Sequence, residues 1–212
     1  GSGLGRIDIY LAQNYSIDVV GIDVEPALID EAKRRLRSVE DSLKGTVTFR
    51  LEGVSDYLRQ FEDNTFDIVF SKETILHVPV RDKRKYFQQV NRILKPGGAI
   101  VIMDWMHTSE NYSNELQHMI EMDGIPYHLV TQNEYKEVLA CAGFREIEFT
   151  DTTSEAIEHS KKTCKKIILS KEKIVDRFGK ETYDEALKSW QIQMKVFETG
   201  ELLTGIFRAS LN

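Results

Sequence analysis

The amino-acid sequence predicts an α/β fold built on a mostly parallel sheet, and two observations carry that prediction. Short runs rich in β-branched residues alternate along the chain with longer stretches whose apolar residues recur at helical spacing. The run Asp18–Asp23 is almost continuously apolar, as expected for a strand that is buried on both faces of a parallel sheet. Because strands that alternate with helices become parallel neighbours, the first half of the chain is predicted to form a parallel sheet covered by helices.

Each predicted element has its own local signal. Pro26 occupies a position where the first turn of a helix tolerates proline, and apolar residues at helical spacing follow it. The glycine-rich segment 95–98 ends the third predicted helix, whereas Thr131 and Gly143 cap the two ends of the fourth. The predicted strands are residues 18–23, 46–51, 66–71, 99–104, 144–149 and 202–209. The predicted helices are residues 6–15, 26–38, 82–94, 131–142, 153–178 and 180–195.

Composition and charge exclude several classes of protein. Of the 212 residues, 41% are hydrophobic and 29% are charged, which excludes a disordered or low-complexity chain. The net charge of −6 is opposite in sign to the basic footprint of nucleic-acid-binding proteins. The sequence contains neither a secretory signal nor an apolar run near the ~18 residues that span a bilayer. We therefore expect a cytoplasmic protein in which Cys141 and Cys164 are reduced.

A glycine-rich opening and an acidic residue predict a nucleotide site. Gly1, Gly3 and Gly5 lead directly into a helix, where the backbone can approach a ligand closely beside a helix N-terminus. The next strand ends in Asp23, an acid placed to accept hydrogen bonds from ribose hydroxyls. A dinucleotide fingerprint requires a glycine where Arg6 stands, and the Gly-Lys-Ser/Thr triplet of a phosphate-binding loop is missing. The alternative interpretation is an ordinary turn between a strand and a helix.

The spacing Gly-x-Gly-x-Gly resembles the first motif of the class I S-adenosylmethionine-dependent methyltransferases. Residues 64–71 and 94–104 resemble the fourth- and fifth-strand motifs of that family. The resemblance implies a Rossmann-like class I methyltransferase fold, with a central, mostly parallel seven-stranded sheet and helices on both faces. It also implies S-adenosylmethionine as cofactor and S-adenosylhomocysteine as product. The residues implied to bind the cofactor are Gly1, Gly3, Gly5, Asp23, Val24, Asp56, Ser71 and Lys72.

The resemblance assigns individual roles to some of these residues. Asp23 is implied to bind the ribose and Val24 to pack on the adenine. The family places an acid just after the third strand, but Val54 occupies that position here and Asp56 follows two residues later. Asp56 therefore has a second interpretation, as the cap of the short helix that follows it.

The segment after the third predicted strand carries a candidate base. His77 follows Glu73 by four residues, so both side chains project from one face if this turn is helical. A histidine can act as a base at neutral pH, and the alternative is a histidine packed beneath the loop. The pattern Ser-x-Glu-x-Ile-Leu-His at residues 71–77 resembles the phosphoethanolamine N-methyltransferases, with sarcosine- and dimethylglycine-type enzymes as relatives. That resemblance implies that Glu73 binds the ammonium group of the substrate and that His77 removes its proton.

The second half of the chain extends the resemblance. Trp105 stands where this family has a substrate-site tyrosine, and Tyr127 matches a tyrosine that faces the substrate phosphate. Lys195 matches a lysine that also contacts the phosphate. The phosphate-binding arginine of the family is replaced by Ile125, so the substrate is either held less tightly at its phosphate or is a different small amine.

Together these residues predict an N-methyltransferase for phosphoethanolamine and its mono- and dimethyl forms. The alternatives are another small acceptor, such as a glycine-type amine or a lipid-like molecule, and a cofactor-binding chain without catalysis of its own. The remaining histidines show no metal-ligand spacing, so no metal is expected. The expected partner is the small-molecule amine, without nucleic acid or a membrane span, and the expected assembly is a monomer.

One methyltransferase domain is expected over residues 1–212, with a cofactor-binding half at 1–104 and substrate-side helices and terminal strands at 105–212. In the related fold a central strand precedes the glycine loop, and a helix with a tyrosine caps the substrate pocket. We therefore expect that the natural protein has a further segment before Gly1 that completes this domain.

Overall fold

Strands and helices alternate along the chain in the computed structural model, which describes residues 1–52, 57–109 and 111–211. The strands are β1 Asp18–Asp23, β2 Thr46–Leu51, β3 Phe66–Lys72, β4 Leu94–His107, β5 Arg145–Asp151 and β6 Leu202–Ser210. The helices are α1 Arg6–Asn14, α2 Pro26–Arg37, α3 Val80–Ile93, α4 Asn114–Asp123, α5 Gln132–Cys141, α6 Thr153–Leu169, α7 Lys171–Phe178 and α8 Lys180–Glu198. This alternation confirms the predicted α/β class.

The strands of the described residues form two hydrogen-bonded sheets. β1 pairs with β2 in parallel, and the second sheet has the order β3-β4-β6-β5. β3 and β4 are parallel, whereas β6 runs antiparallel to both β4 and β5. The expected single sheet of seven mostly parallel strands therefore differs in detail from the structure. The six described strands divide into two sheets because β1 and β3 share no hydrogen bonds, and α6 to α8 return β6 in the opposite direction.

The opening loop of the chain connects the two sheets at the carboxyl ends of β1 and β3. The Ser2 N–H donates a hydrogen bond of 2.8 Å to the Ile22 carbonyl in β1. Gly1 lies so close to Thr74, which follows β3, that a Cβ on the glycine would overlap with the threonine side chain. Since ligands bind at the carboxyl ends of strands in open α/β sheets, this loop lies where a site is expected.

Two buried clusters flank this edge. The first lies between the second sheet and helices α3 and α5, where Tyr135 stacks on Phe207 with 4.6 Å between ring centroids. The second joins Leu76 to residues of α4 and α8, including Met119 and Phe197. Burial of these apolar side chains, each worth roughly 1.5–3 kcal/mol, attaches the helices of the second half to the strand ends.

Several element boundaries differ from the sequence prediction. α4 was not among the predicted helices, although Ser113 caps it by accepting from the Leu116 N–H and Gly124 ends it with φ of +66°. The predicted helix 153–178 divides at Ser170 into α6 and α7. β4 begins directly after α3, because the Leu94 segment already pairs with Phe66.

Candidate active site

The glycine loop and Asp23 form one hydrogen-bonded unit. The Gly3 N–H donates to Asp23 Oδ2 at 2.8 Å, and the Glu25 N–H donates to Asp23 Oδ1 at 3.0 Å. Asp23 is buried at the end of β1. Because each carboxylate oxygen can accept two hydrogen bonds, Asp23 keeps acceptor capacity for ligand hydroxyls.

The glycines of this loop meet different surroundings. Gly5 has φ of +68° and begins α1, and a Cβ there would lie 2.9 Å from Phe49 Cε1 and 3.0 Å from the Ala32 Cβ. Gly3 has φ of +52°, and a Cβ there would meet no atom of the described residues within 4 Å. Gly5 is therefore required for packing of α1 against α2 and β2, whereas Gly3 borders open space.

The other residues expected at the cofactor surround this unit. Val24 is 63% exposed beside Asp23, which leaves an apolar surface free to cover a flat ring. Ser71 is buried at the end of β3, and the Lys72 ammonium lies 3.0 Å from Glu73 Oε1. Asp56 lies outside the described residues. An acceptor at the strand end, an open glycine and an exposed apolar side chain fit a nucleoside with ribose hydroxyls.

The turn after β3 has a different backbone from the one expected. Glu73 adopts φ of +50°, and its N–H donates to the Met103 carbonyl at 2.8 Å. A short 3-10 helix follows over Ile75–His77. Glu73 and His77 therefore do not share one α-helical face, because the left-handed conformation at Glu73 separates it from the helical residues.

The imidazole of His77 is oriented by the segment before α5. Its Nδ1 lies 3.0 Å from the Pro126 carbonyl oxygen. A carbonyl only accepts hydrogen bonds, so Nδ1 is the donor, and in the neutral imidazole Nε2 carries the lone pair. The ring of Tyr127 packs edge-on against the imidazole, at 5.3 Å between centroids.

Tyr127 belongs to an aromatic wall with Trp105. The centroids of these two rings are 5.9 Å apart, and the Trp105 ring lies 5.4 Å from that of Phe197. The Tyr127 hydroxyl donates to the Asp123 carboxylate. Burial, this hydrogen bond and the charges of Asp123 and Glu73 raise the pKa of Tyr127, so its phenol stays protonated at neutral pH.

Lys195, expected at the substrate phosphate, lies on α8 with an exposed side chain. Its ammonium pairs with Glu115 in the first turn of α4, and this hydrogen bond lowers the pKa of the Glu115 carboxyl. Ile125, at the position of the missing arginine, is 53% exposed. The structure thus brings together His77, Tyr127 and Trp105, whereas a role of Lys195 at the same site stays a prediction.

A buried polar network beneath this site was not predicted from the sequence. Asp104 is completely buried and accepts a 2.8 Å hydrogen bond from the Tyr135 hydroxyl. Lys83 is 1% exposed and donates to the Ile75 carbonyl. The signal for this network was the position of Lys83 itself, three and four residues before the buried Tyr86 and Phe87 on the apolar face of α3.

The described part of the chain offers neither a metal site nor a membrane-spanning helix. No group of three or more His, Cys, Asp or Glu side chains there is arranged to bind a metal ion. No helix there is long and apolar enough to cross a membrane.

Comparisons with known proteins agree with this geometry. The profile of a family described as "Methyltransferase domain" matches residues 1–201. Phosphoethanolamine N-methyltransferase 3 of Arabidopsis thaliana is 31% identical over the whole chain, which covers 41% of that relative. The Plasmodium falciparum enzyme of the same name is 26% identical, and the match covers the whole chain and 77% of the relative.

The fold is also similar to a solved structure. The phosphoethanolamine N-methyltransferase 2 of Haemonchus contortus, in complex with phosphomonomethylethanolamine and S-adenosylhomocysteine, superposes with a TM-score of 0.90 and 25% identity. That match covers all of this chain and 47% of the Haemonchus chain. The chain therefore spans less than half the length of this structure and about two fifths of the plant relative.

Proposed function

The chain belongs to the methyltransferase domain family, and we propose that it is an S-adenosylmethionine-dependent N-methyltransferase acting on a small polar amine. The observation that carries the proposal is the orientation of His77. Its Nδ1 hydrogen bonds to the Pro126 carbonyl, its ring packs on Tyr127, and the charge of Glu73 acts on the same tyrosine. A neutral imidazole held at Nδ1 by a hydrogen bond has Nε2 available to remove a proton from an ammonium group.

The residues at the carboxyl end of β1 would hold the cofactor. Asp23 would accept from the ribose hydroxyls, Gly3 would border the ligand closely, and Val24 would cover the adenine. Ser71 and Lys72, at the end of β3, would complete the binding edge. When bound, S-adenosylmethionine would supply an electrophilic methyl group on its sulfonium sulfur, with S-adenosylhomocysteine as the leaving group.

The chain's own contribution is to orient the amine and remove its proton. Glu73 would bind the ammonium form, since a carboxylate is the natural partner of a positive charge. His77 Nε2 would then accept a proton, which exposes the nitrogen lone pair. Trp105 and Tyr127 would line the pocket and exclude water, which strengthens both interactions.

Phosphoethanolamine and its mono- and dimethyl forms are the acceptors we propose. Support comes from the names of the relatives and from the phosphomonomethylethanolamine in the Haemonchus structure. The Tyr127 hydroxyl and the Lys195 ammonium are the proposed phosphate donors. Tyr127 would exchange its Asp123 acceptor for a phosphate oxygen, and Lys195 would leave Glu115.

Ile125 favours a second candidate acceptor. An exposed apolar side chain stands at the position that matches the bidentate arginine of the family, so this position offers no positive charge to a phosphate. A glycine- or sarcosine-type amine, or a lipid-like acceptor, therefore competes with phosphoethanolamine as the substrate.

A direct assay distinguishes these functions. The chain is incubated with methyl-labelled S-adenosylmethionine and, separately, with phosphoethanolamine, its mono- and dimethyl forms, glycine and sarcosine. Labelled product from the phosphorylated amines supports the proposal, and product only from glycine or sarcosine supports the second candidate. Binding of S-adenosylhomocysteine without any labelled product would mean that the chain binds cofactor but does not catalyse transfer alone.

The cellular setting is part of the proposal. A methyltransferase that converts phosphoethanolamine to phosphocholine would supply phospholipid biosynthesis from the cytoplasm. We also propose that the chain acts as a monomer. Light scattering after gel filtration tests this, because a monomer has a mass of 24.4 kDa and a dimer twice that value.

A further inference from the structure

Lys83 and Asp104 are both buried beneath the turn that carries Glu73 and His77, and we propose that Lys83 is a positioning residue that fixes this turn, a role that rests on the proposed function of the turn. Neither residue is part of the substrate pocket described above.

The Lys83 side chain contacts the turn through a hydrogen bond. It lies in the first turn of α3, is 1% exposed, and its ammonium donates to the Ile75 carbonyl. Ile75 is completely buried and begins the 3-10 helix that ends at His77. The Ile75 carbonyl also accepts from the Val78 N–H within the turn at 3.0 Å, so the Lys83 ammonium is its second donor and the one that joins this short helix to α3.

Asp104 lies in β4, beside the strand that leads into the turn. It precedes Trp105 at the carboxyl end of β4, and its Oδ2 accepts from the Tyr135 hydroxyl on α5. Its Oδ1 has no hydrogen-bond partner among the described residues. The groups whose charges act on Asp104 are Lys83 on α3 and Glu73 in the turn, so this carboxylate interacts electrostatically with both sides of the site.

Burial makes this arrangement costly for folding. Desolvation lowers the pKa of Lys83 to about 8, although the negative charge of Asp104 acts to raise it. Desolvation raises the pKa of Asp104 to about 7, against the Tyr135 hydrogen bond and the charge of Lys83. Apolar residues of similar volume commonly stabilise a core as well as, or better than, a buried ionic pair. The buried lysine is therefore better explained by the position that it gives to the turn than by a contribution to folding.

Hydrogen exchange tests the positioning role without an activity assay. In Lys83→Met, which keeps the side-chain length but lacks the donor, we expect the amides of residues 73–78 to exchange at least about tenfold faster, the factor for one lost hydrogen bond from a charged group. Lys95→Met is the matched control, because Lys95 pairs with Asp67 at the opposite end of β4. Equal exchange in this segment for wild type and Lys83→Met would overturn the proposal.

A double variant keeps the test valid if Lys83→Met is poorly folded. Lys83→Met/Asp104→Asn removes both buried charges, and the asparagine carbonyl still accepts from Tyr135. We expect this protein to recover the urea midpoint of the wild type while the turn still exchanges about tenfold faster. Recovery of both properties together would show that Lys83 contributes only to overall stability and would contradict the proposal.

Kinetics separate positioning from general damage. In the double variant we expect the KM for the amine to rise and kcat to fall, each about tenfold, while the Kd for S-adenosylhomocysteine changes less than twofold. A rise in that Kd equal to the rise in the amine KM would contradict a role confined to the turn. If the wild type neither binds nor methylates an amine, the proposed function fails, whereas the exchange experiment still decides whether Lys83 fixes the turn.

Discussion

The imidazole of His77 packs edge-on against the ring of Tyr127, with 5.3 Å between centroids and 70° between the ring planes. The residue before this tyrosine, Pro126, offers its carbonyl to His77 Nδ1 at 3.0 Å. Residues 126–127 thus orient the imidazole both by packing and by a hydrogen bond, although they are far from the turn in sequence. The candidate base is therefore placed by tertiary structure and not by its own loop alone.

Replacement of His77 tests its role as base. We expect His77→Ala to lower kcat by at least about 100-fold, because a positioned general base contributes about 10²–10⁴-fold. The Kd for S-adenosylhomocysteine, measured by calorimetry, should change little, since the cofactor residues lie around Asp23. Comparable losses in turnover and in cofactor affinity would rule out a role specific to proton removal.

The two glycines of the opening loop should respond differently to alanine. Gly5→Ala combines a left-handed backbone with overlap against Phe49, so we expect a loss of about 2–4 kcal/mol in the free energy of unfolding. Gly3→Ala has a left-handed backbone but open space, so we expect about 1 kcal/mol. Urea unfolding measures both values.

Gly3→Ala should weaken cofactor binding more than Gly5→Ala does, although it costs less stability. In Gly3→Ala the added methyl group enters the open space beside Asp23. The affinity for S-adenosylhomocysteine should therefore fall at least about tenfold for each kcal/mol of unfolding free energy that is lost, a larger ratio than in Gly5→Ala. Equal stability losses in the two variants, with unchanged cofactor affinity in Gly3→Ala, would contradict this interpretation of the loop.

The backbone conformation of Glu73 should lower the stability of the fold, whereas its carboxylate should bind the amine. Its φ of +50° is unfavourable for a residue with a side chain, so Glu73→Gly should raise the free energy of unfolding by up to about 1 kcal/mol relative to Glu73→Gln. Both variants lose the carboxylate and the pairing with Lys72, so both should bind the amine more weakly. Because both variants lack the carboxylate, the difference between their unfolding free energies reports the backbone strain at residue 73. If Glu73→Gly unfolds at a lower urea concentration than Glu73→Gln, the backbone is not strained.

Asp104 predicts a specific pH dependence of stability. Burial raises its pKa to about 7 in the folded chain, above the usual value of 3.8, so protonation favours the folded state. The stabilising contribution is complete below about pH 4 and is lost as pH rises through about 7. The groups facing Asp104 are Lys83 and Tyr86 on α3, Tyr135 on α5 and Glu73.

The measurement compares wild type with Asp104→Asn. The free energy of unfolding of the wild type, minus that of the variant, should fall as pH increases from 4 to 7, because asparagine has no proton to lose. Urea titrations at several pH values within this range give the difference directly. A difference that is constant, or that grows with pH, would show that Asp104 is not buried with a raised pKa.

The order of strands and helices was largely predictable from local signals. β1 and β2 have the predicted boundaries because β-branched runs flanked by turn residues specify a strand locally. The predicted Thr131 cap is present as a full capping box with Glu134. The antiparallel placement of β6 and the division into two sheets were not predictable in this way, because strand pairing depends on partners distant in sequence.

The candidate site was also only partly predictable from local sequence signals. The glycine loop and Asp23 form a unit of about two dozen residues, so their spacing alone indicated a shared ligand, and the Gly3 to Asp23 hydrogen bond agrees with it. Glu73 and His77 were chosen by residue type and resemblance, and the helical turn that would have placed them on one face is not formed at Glu73. A left-handed residue in the turn has no reliable signal when it is not glycine.

By itself, the sequence determined the alternation of elements, the helix caps and the residue types of the site, because periodicity and turn chemistry are local properties of the chain. Only the tertiary structure decided that Pro126 orients His77, that Tyr127 faces Trp105, and that Lys83 and Asp104 are buried beneath the turn. The physical reason is that burial, desolvation and hydrogen-bond partners come from segments distant in sequence. A lysine in a helix is the same residue in the sequence whether its ammonium faces water or a buried carbonyl.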